Sequence, residues 1–121
     1  MPAPSPLTIA TQSVQRLVKE EKYYQKELAS QTERVKKLEE SLSSAGGKVD
    51  GNAGFMLKQE QKVVEETKAV FAPLNERIVE AVNRLEEQIA TAESEGGGAA
   101  DELTKAKEAL ELGKGVQTPV A

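Results

Sequence analysis

Two stretches of this chain set lysine beside glycine, Gly46-Gly47-Lys48-Val49 and Gly113-Lys114-Gly115, and a glycine-rich loop ending in lysine is one way to cradle a phosphate. Neither has the earlier glycine at the required spacing or a following Ser or Thr, and neither follows a strand-like run. Phosphate binding is not expected from them. The carboxylate pairs Glu39-Glu40, Glu65-Glu66 and Glu86-Glu87 could in principle trade a proton, but adjacent helical residues diverge by about 100° and do not face one substrate. They read as solvated faces. With no His and no Cys in 121 residues, imidazole bases, thiol nucleophiles, disulfides and soft-metal sites are all excluded. No catalytic, cofactor-binding or metal-ligating residue is assigned, and an enzyme is not expected.

What the residue types offer instead is contact with another polypeptide. Arg16, Lys19, Glu20 and Tyr23 recur at i, i+3, i+4 and i+7, a spacing that places them along one side of a helix. Arg and Tyr are enriched among residues that dominate protein interfaces. The same four side chains would also serve simply to keep a helix surface soluble, with Tyr23 flanking the core.

The elements that would carry these residues are marked by clustered helix breakers. Pro2, Pro4 and Pro6 mark the start, and Ser5 before Pro6 fits an N-cap followed by proline at the first helical position. A second cluster runs from Ser43 to Gly54, a third is Ser94-Glu95-Gly96-Gly97-Gly98, and Gly113-Lys114-Gly115 with Pro119 forms the last. Three helices are predicted, over about 6–43, 54–93 and 99–113, with a flexible N-terminus at about 1–5 and a tail at about 114–121.

Hydrophobic spacing agrees with this division. From Val14 the 3,4 stepping passes through Leu17, Glu21, Tyr24, Leu28, Gln31, Val35, Leu38 and Leu42, a coiled-coil-like seam. The second segment steps through Leu57, Glu60, Val64, Thr67, Phe71, Leu74, Ile78, Ala81 and Leu85, with Val63, Val70, Val82 and Ile89 widening the stripe. The third offers only Leu103, Ala106 and Leu110, so it is a short helix with a small apolar face. No period-two alternation supports a strand. The expected architecture is all-α, an antiparallel up-down-up three-helix bundle in one domain, with the second helix kinked at Pro73.

At 1.5 Å per residue the first two helices would each be on the order of 60 Å long and the third on the order of 20 Å. The third should therefore lie beside the first half of helix 1 and the last half of helix 2. At the other end Val35, Leu38 and Leu42 opposite Phe55, Leu57, Val63 and Val64 would lack a third layer, leaving an apolar strip for a partner or for a second copy in a homodimer.

Composition narrows the partner classes. Sixteen basic against 20 acidic residues give net −4, which argues against duplex nucleic acid. Tyr23, Tyr24, Phe55 and Phe71, the four aromatic residues, provide little stacking surface for single strands. No apolar run approaches the roughly 20 residues that span a bilayer, and Met-Pro-Ala-Pro-Ser-Pro lacks the pattern of a signal peptide. A soluble cytoplasmic protein without nucleic-acid or membrane partners is expected. Residues 1–45 hold seven Lys/Arg against six Asp/Glu, net +1, and residues 46–121 hold nine against fourteen, net −5.

One family matches these residues. Val14-Gln15-Arg16-Leu17-Val18-Lys19-Glu20, continued by Tyr24-Gln25-Lys26-Glu27, closely resembles the first helix of the tubulin-specific chaperone A family, also called tubulin-binding cofactor A. Leu57-Lys58-Gln59, Glu66-Thr67 and Pro73 ahead of Arg77 and Glu80-Ala81 extend the resemblance to about residues 7–92. The resemblance implies a three-helix bundle that captures β-tubulin after its release from the cytosolic chaperonin. It would do so without ATP and pass its client on toward the αβ-tubulin heterodimer, meeting other tubulin-folding cofactors indirectly, in a cytoplasmic, cytoskeleton-associated setting. Arg16, Lys19, Glu20 and Tyr23 lie in the matched stretch and outside the seam, and are the expected tubulin-facing residues. The alternative reading is a structural coiled-coil adaptor or scaffold without a folding role.

Overall fold

The structure is a computed structural model and describes residues 3–44, 51–96 and 99–117. Three helices follow one another: α1 (Pro6–Ser44), α2 (Gly51–Glu95) and α3 (Ala100–Gln117), with no strand among the described residues. The start of α1 is set by side-chain chemistry. Ser5 Oγ accepts the backbone N–H of Thr8 at 3.1 Å, and the Ser5 carbonyl accepts the first helical bond, from Ile9 N–H, at 2.9 Å. Pro6 fills the first helical position, where a missing N–H costs nothing. At the end of α2, Gly96 takes a left-handed φ of 65°, the conformation that reverses the chain out of a helix and that glycine adopts without a Cβ penalty. Asp101 and Glu102 occupy the first turn of α3, where the free N–H groups favour negative charge.

Two helix ends differ from the spacing-based expectation. α2 begins at Gly51, so Gly51-Asn52-Ala53-Gly54 is helical and not a connector; glycine costs a helix only about 1 kcal/mol relative to alanine, which a nucleated helix offsets by adding backbone bonds. α3 continues through Gly113 and Gly115 to Gln117. Gly113 is buried and is needed for close packing, described below, so it does not stop the helix. The expected loop at 45–50, the glycines at 97–98 and the segment 118–121 lie outside the described residues.

Pro73 sits inside α2, which is unbroken around it. A proline removes one hydrogen bond, to the carbonyl four residues earlier. That carbonyl belongs to Ala69, and both Ala69 and Pro73 are on the exposed side of the helix, so water can reach the oxygen that loses its partner.

By contact the chain forms two compact units, one of Met1–Glu21 with Ala72–Ala121 and one of Lys22–Phe71. The first is the three-helix unit. Thr8 near the start of α1 bonds Glu102 in the first turn of α3, and Val14 lies against Gly113, so α1 and α3 run the same way. Glu20 meets Arg77, while Leu7 shares a hollow with Ala92, so α2 runs opposite to α1. This is the up-down-up order expected from short connectors. Its core is Leu7, Ala10, Val14, Leu17 and Val18 from α1, Leu74, Ile78, Val82, Leu85 and Ile89 from α2, and Ala106 and Ala109 from α3. Each fully buried Val, Leu or Ile contributes about 1.5–3 kcal/mol. The α3 face is built of small residues, which lets its backbone come close: a Cβ at Gly113 would lie 2.6 Å from Val82 Cγ2 and 3.0 Å from Val14 Cγ1.

The second unit holds one segment each of α1 and α2, running antiparallel. Tyr24 meets Phe71 edge to face, with ring centroids 6.5 Å apart, and Val35 and Glu39 share a groove with Gln61 and Val64. Without a third helical layer, burial here is partial. Gln31, Val64 and Thr67 are buried, whereas the seam residues Leu28, Val35, Leu38, Leu42 and Leu57 are half-buried. Phe55 and Met56 are exposed at 59% and 48%, and Val63 is exposed too.

Glu33–Lys37 and Glu80–Arg84, each with glutamate four residues ahead of its cation on a helix, do not close as ion pairs among the described residues. Glu65–Lys68, Glu20–Arg77 and Glu93–Lys107 do. The side chains of all three pairs are about half exposed or more, and each pair contributes roughly 0–1 kcal/mol.

Candidate partner-binding surface

The four candidate residues all lie on α1, and the structure separates them by environment. Arg16 and Lys19 are exposed, and neither closes an ion pair among the described residues. Two unneutralised cations one helical turn apart are available to an acidic partner. Glu20 differs. It is half-buried and turns toward α2, with its Oε2 4.0 Å from Arg77 Nη2. That distance is within ion-pair range but too long for a hydrogen bond, and Oε2 is shielded from solvent with no hydrogen-bond partner. A carboxylate held this way keeps an incentive to find a donor.

Arg16, Lys19 and Glu20 belong to the three-helix unit, and Tyr23 to the two-stranded one. Tyr23 is 58% exposed, and its ring meets Tyr24 in an edge-to-face arrangement, with centroids 5.3 Å apart and planes at 76°. Tyr24 in turn meets Phe71, so the Tyr23 ring is braced on one side while more than half of the residue stays exposed. A pre-positioned aromatic ring loses little rotamer freedom on binding.

The three-helix unit also carries polar residues that the seam argument did not single out. Arg77, Glu80 and Arg84 on α2 and Ala10, Ser13 and Leu17 on α1 line a shallow hollow of about 200 Å³. Arg77 and Arg84 are seven residues apart, the same helical-face spacing that picked out Arg16 and Tyr23, so this signal was present in the sequence. No group of three or more His, Cys, Asp or Glu that could hold a metal occurs among the described residues. No described helix is long and apolar enough to cross a membrane.

Sequence comparison joins this geometry to known proteins. The family model described as Tubulin binding cofactor A matches residues 2–110. The chain belongs to the Tubulin binding cofactor A family. Tubulin-specific chaperone A of Saccharomyces cerevisiae is 35% identical to it over 111 residues, which covers 90% of this chain and 97% of the yeast protein. No solved structure matches. In this cofactor A chain the match takes in α1 and α2 whole and ends within α3, before the close contact at Gly113.

Proposed function

We propose that this chain is a tubulin-folding cofactor that captures β-tubulin folding intermediates released from the chaperonin, holds them without ATP, and passes them toward the αβ-tubulin heterodimer. The observation that carries this reading is the 35% identity to yeast tubulin-specific chaperone A along nearly the full length of both chains. The geometry suits the task. A holding protein needs extended contact surface, and helix flanks bearing the exposed Arg16 and Lys19 and the ring of Tyr23 provide it. Arg16, Lys19, Glu20 and Tyr23 form part of the tubulin-facing side, with Arg16 and Lys19 giving electrostatic attraction and Tyr23 the apolar contact. Neither Gly-Lys stretch has a nucleotide role in this reading. The protein acts in the cytoplasm, in association with the tubulin cytoskeleton.

A pull-down from cytosol with the full chain, followed by identification of the bound protein, tests the reading. Recovery of free β-tubulin supports it. Recovery only of an assembled coiled-coil partner, with no β-tubulin, would favour the adaptor alternative.

A further inference from the structure

Ser5 connects two helices of the three-helix unit through one hydroxyl. Its Oγ accepts Thr8 N–H at 3.1 Å, closing the N-cap of α1. The Ser5 O–H donates to Thr8 Oγ1 at 3.1 Å, and the Thr8 O–H donates to Glu102 Oε1 in the first turn of α3 at 3.3 Å. Ser5 Oγ itself stands 3.5 Å from that same carboxylate oxygen. Glu95, the last residue of α2, lines the same hollow as Ser5 and Glu102. The hydroxyl thus stands beside the Glu102 carboxylate and is linked to it through the Thr8 hydroxyl, with Glu95 lining the same hollow.

Ser5 is also followed by Pro6 and preceded by the exposed, non-helical residues Ala3 and Pro4. Serine with proline directly after it is the acceptor pattern of proline-directed protein kinases, and here Ser5 stands just outside α1, of which Pro6 is the first residue. Presenting it to a kinase requires the first turn of α1, which carries the buried Leu7, to open locally.

We propose that Ser5 is a phosphorylation site, and that its phosphate drives the first turn of α3 away from α1. The phosphoryl group comes from a nucleoside triphosphate on the kinase. Ser5 Oγ bonds to the γ-phosphorus as the bond to the β–γ bridging oxygen breaks, the nucleoside diphosphate leaves, and the hydroxyl proton passes to the kinase's base. The product has about −1.5 to −2 charge at this point and no hydroxyl proton to donate. Toward α1 the change is favourable, because an anion at a helix N-terminus meets free N–H groups and the positive end of the dipole. Toward α3 it is unfavourable. The donor to Thr8 is replaced by an anion beside Glu102, whose Oε1 stands 3.5 Å from Ser5 Oγ, with the Glu95 carboxylate on the same hollow, and like charges this close repel. One modification therefore keeps the α1 cap and loosens α3, and it requires no tubulin to be observed.

The test incubates the full chain with a purified proline-directed kinase and ATP, maps the phosphate by mass spectrometry, and follows amide hydrogen exchange. Thr118, which also precedes a proline, is replaced by Ala so that Ser5 alone is scored. Phosphate is expected on Ser5 and absent in Ser5→Ala. Exchange at Leu103–Ala106 is expected to accelerate roughly tenfold on phosphorylation, while amides at Ile9–Thr11 stay protected. In the Glu95→Gln/Glu102→Gln variant most of that acceleration should vanish. No incorporation at Ser5 would overturn the proposal. So would slowed or unchanged exchange in α3 once Ser5 is phosphorylated, or equal acceleration in the double glutamine variant.

Discussion

Gly113 on α3 and Val82 on α2 approach so closely that a Cβ at position 113 would stand 2.6 Å from Val82 Cγ2. Val82 is buried and β-branched, so its methyl cannot swing aside cheaply. Gly113→Ala should therefore destabilise the chain. Alanine gains about 1 kcal/mol of helix propensity, against roughly 1–3 kcal/mol of overpacking. Gly115 has nothing within 4 Å of its would-be Cβ, and Gly115→Ala should stabilise by up to about 1 kcal/mol. Urea unfolding of the two variants reads the contrast as midpoints shifting in opposite directions at constant slope. Equal shifts would mean that α3 does not pack at Gly113.

Pro73 interrupts the backbone ladder of α2 on its solvated side. Pro73→Ala restores one hydrogen bond and removes the ring clash, up to about 3 kcal/mol in an ordinary helix, less roughly 0.5–1 kcal/mol for the looser unfolded chain. A net gain of about 1–2 kcal/mol is expected in thermal or urea unfolding. A loss of stability would show that proline itself is required at this point of the helix.

Gln31 is the buried polar member of the α1 seam in the two-stranded unit, and its Oε1 has no hydrogen-bond partner among the described residues. Gln31→Leu removes an unpaired acceptor and adds apolar burial, for an expected gain of about 1 kcal/mol. Exchange protection of the flanking α1 amides should rise with it. A destabilised variant would show that the glutamine amide is more valuable to the unit than its unpaired oxygen is costly.

Much of the framework is legible in residue order because it depends on local chemistry. Ser5 before Pro6 describes an N-cap, and Ser5 Oγ accepts the Thr8 amide. Gly96 marks the end of α2 and has the positive φ that such an end demands. The 3,4 seam from Val14 tracks burial, and Leu7, Ala10 and Val18, left out of it, complete the α1 share of the core. Tertiary features were less legible. Gly113 has the residue type of a terminator and the role of a packing contact, a distinction that exists only once Val82 and Val14 face it. Glu20 lies outside the hydrophobic seam, so spacing puts it with Arg16 and Lys19. Its approach to Arg77, 57 residues further along the chain, depends on how α1 and α2 pair.

The proposed tubulin-facing side rests on charge as well as shape. Arg16→Glu with Lys19→Glu should weaken β-tubulin capture by at least about tenfold, a hot-spot-sized loss, while unfolding stability stays within roughly 0.5 kcal/mol because both side chains are exposed and close no ion pair among the described residues. Capture on a native gel and far-UV circular dichroism measure the two sides of this expectation. Unchanged capture with intact helicity would remove these two residues from the contact surface.

The capture role itself is most directly tested by mixing the purified chain, with no nucleotide added, with isolated β-tubulin or with assembled αβ-tubulin, and following co-migration on a native gel. A stable complex with isolated β-tubulin and little with the heterodimer is the expected result. Binding to the heterodimer alone, or to neither, would contradict a role in holding β-tubulin before assembly.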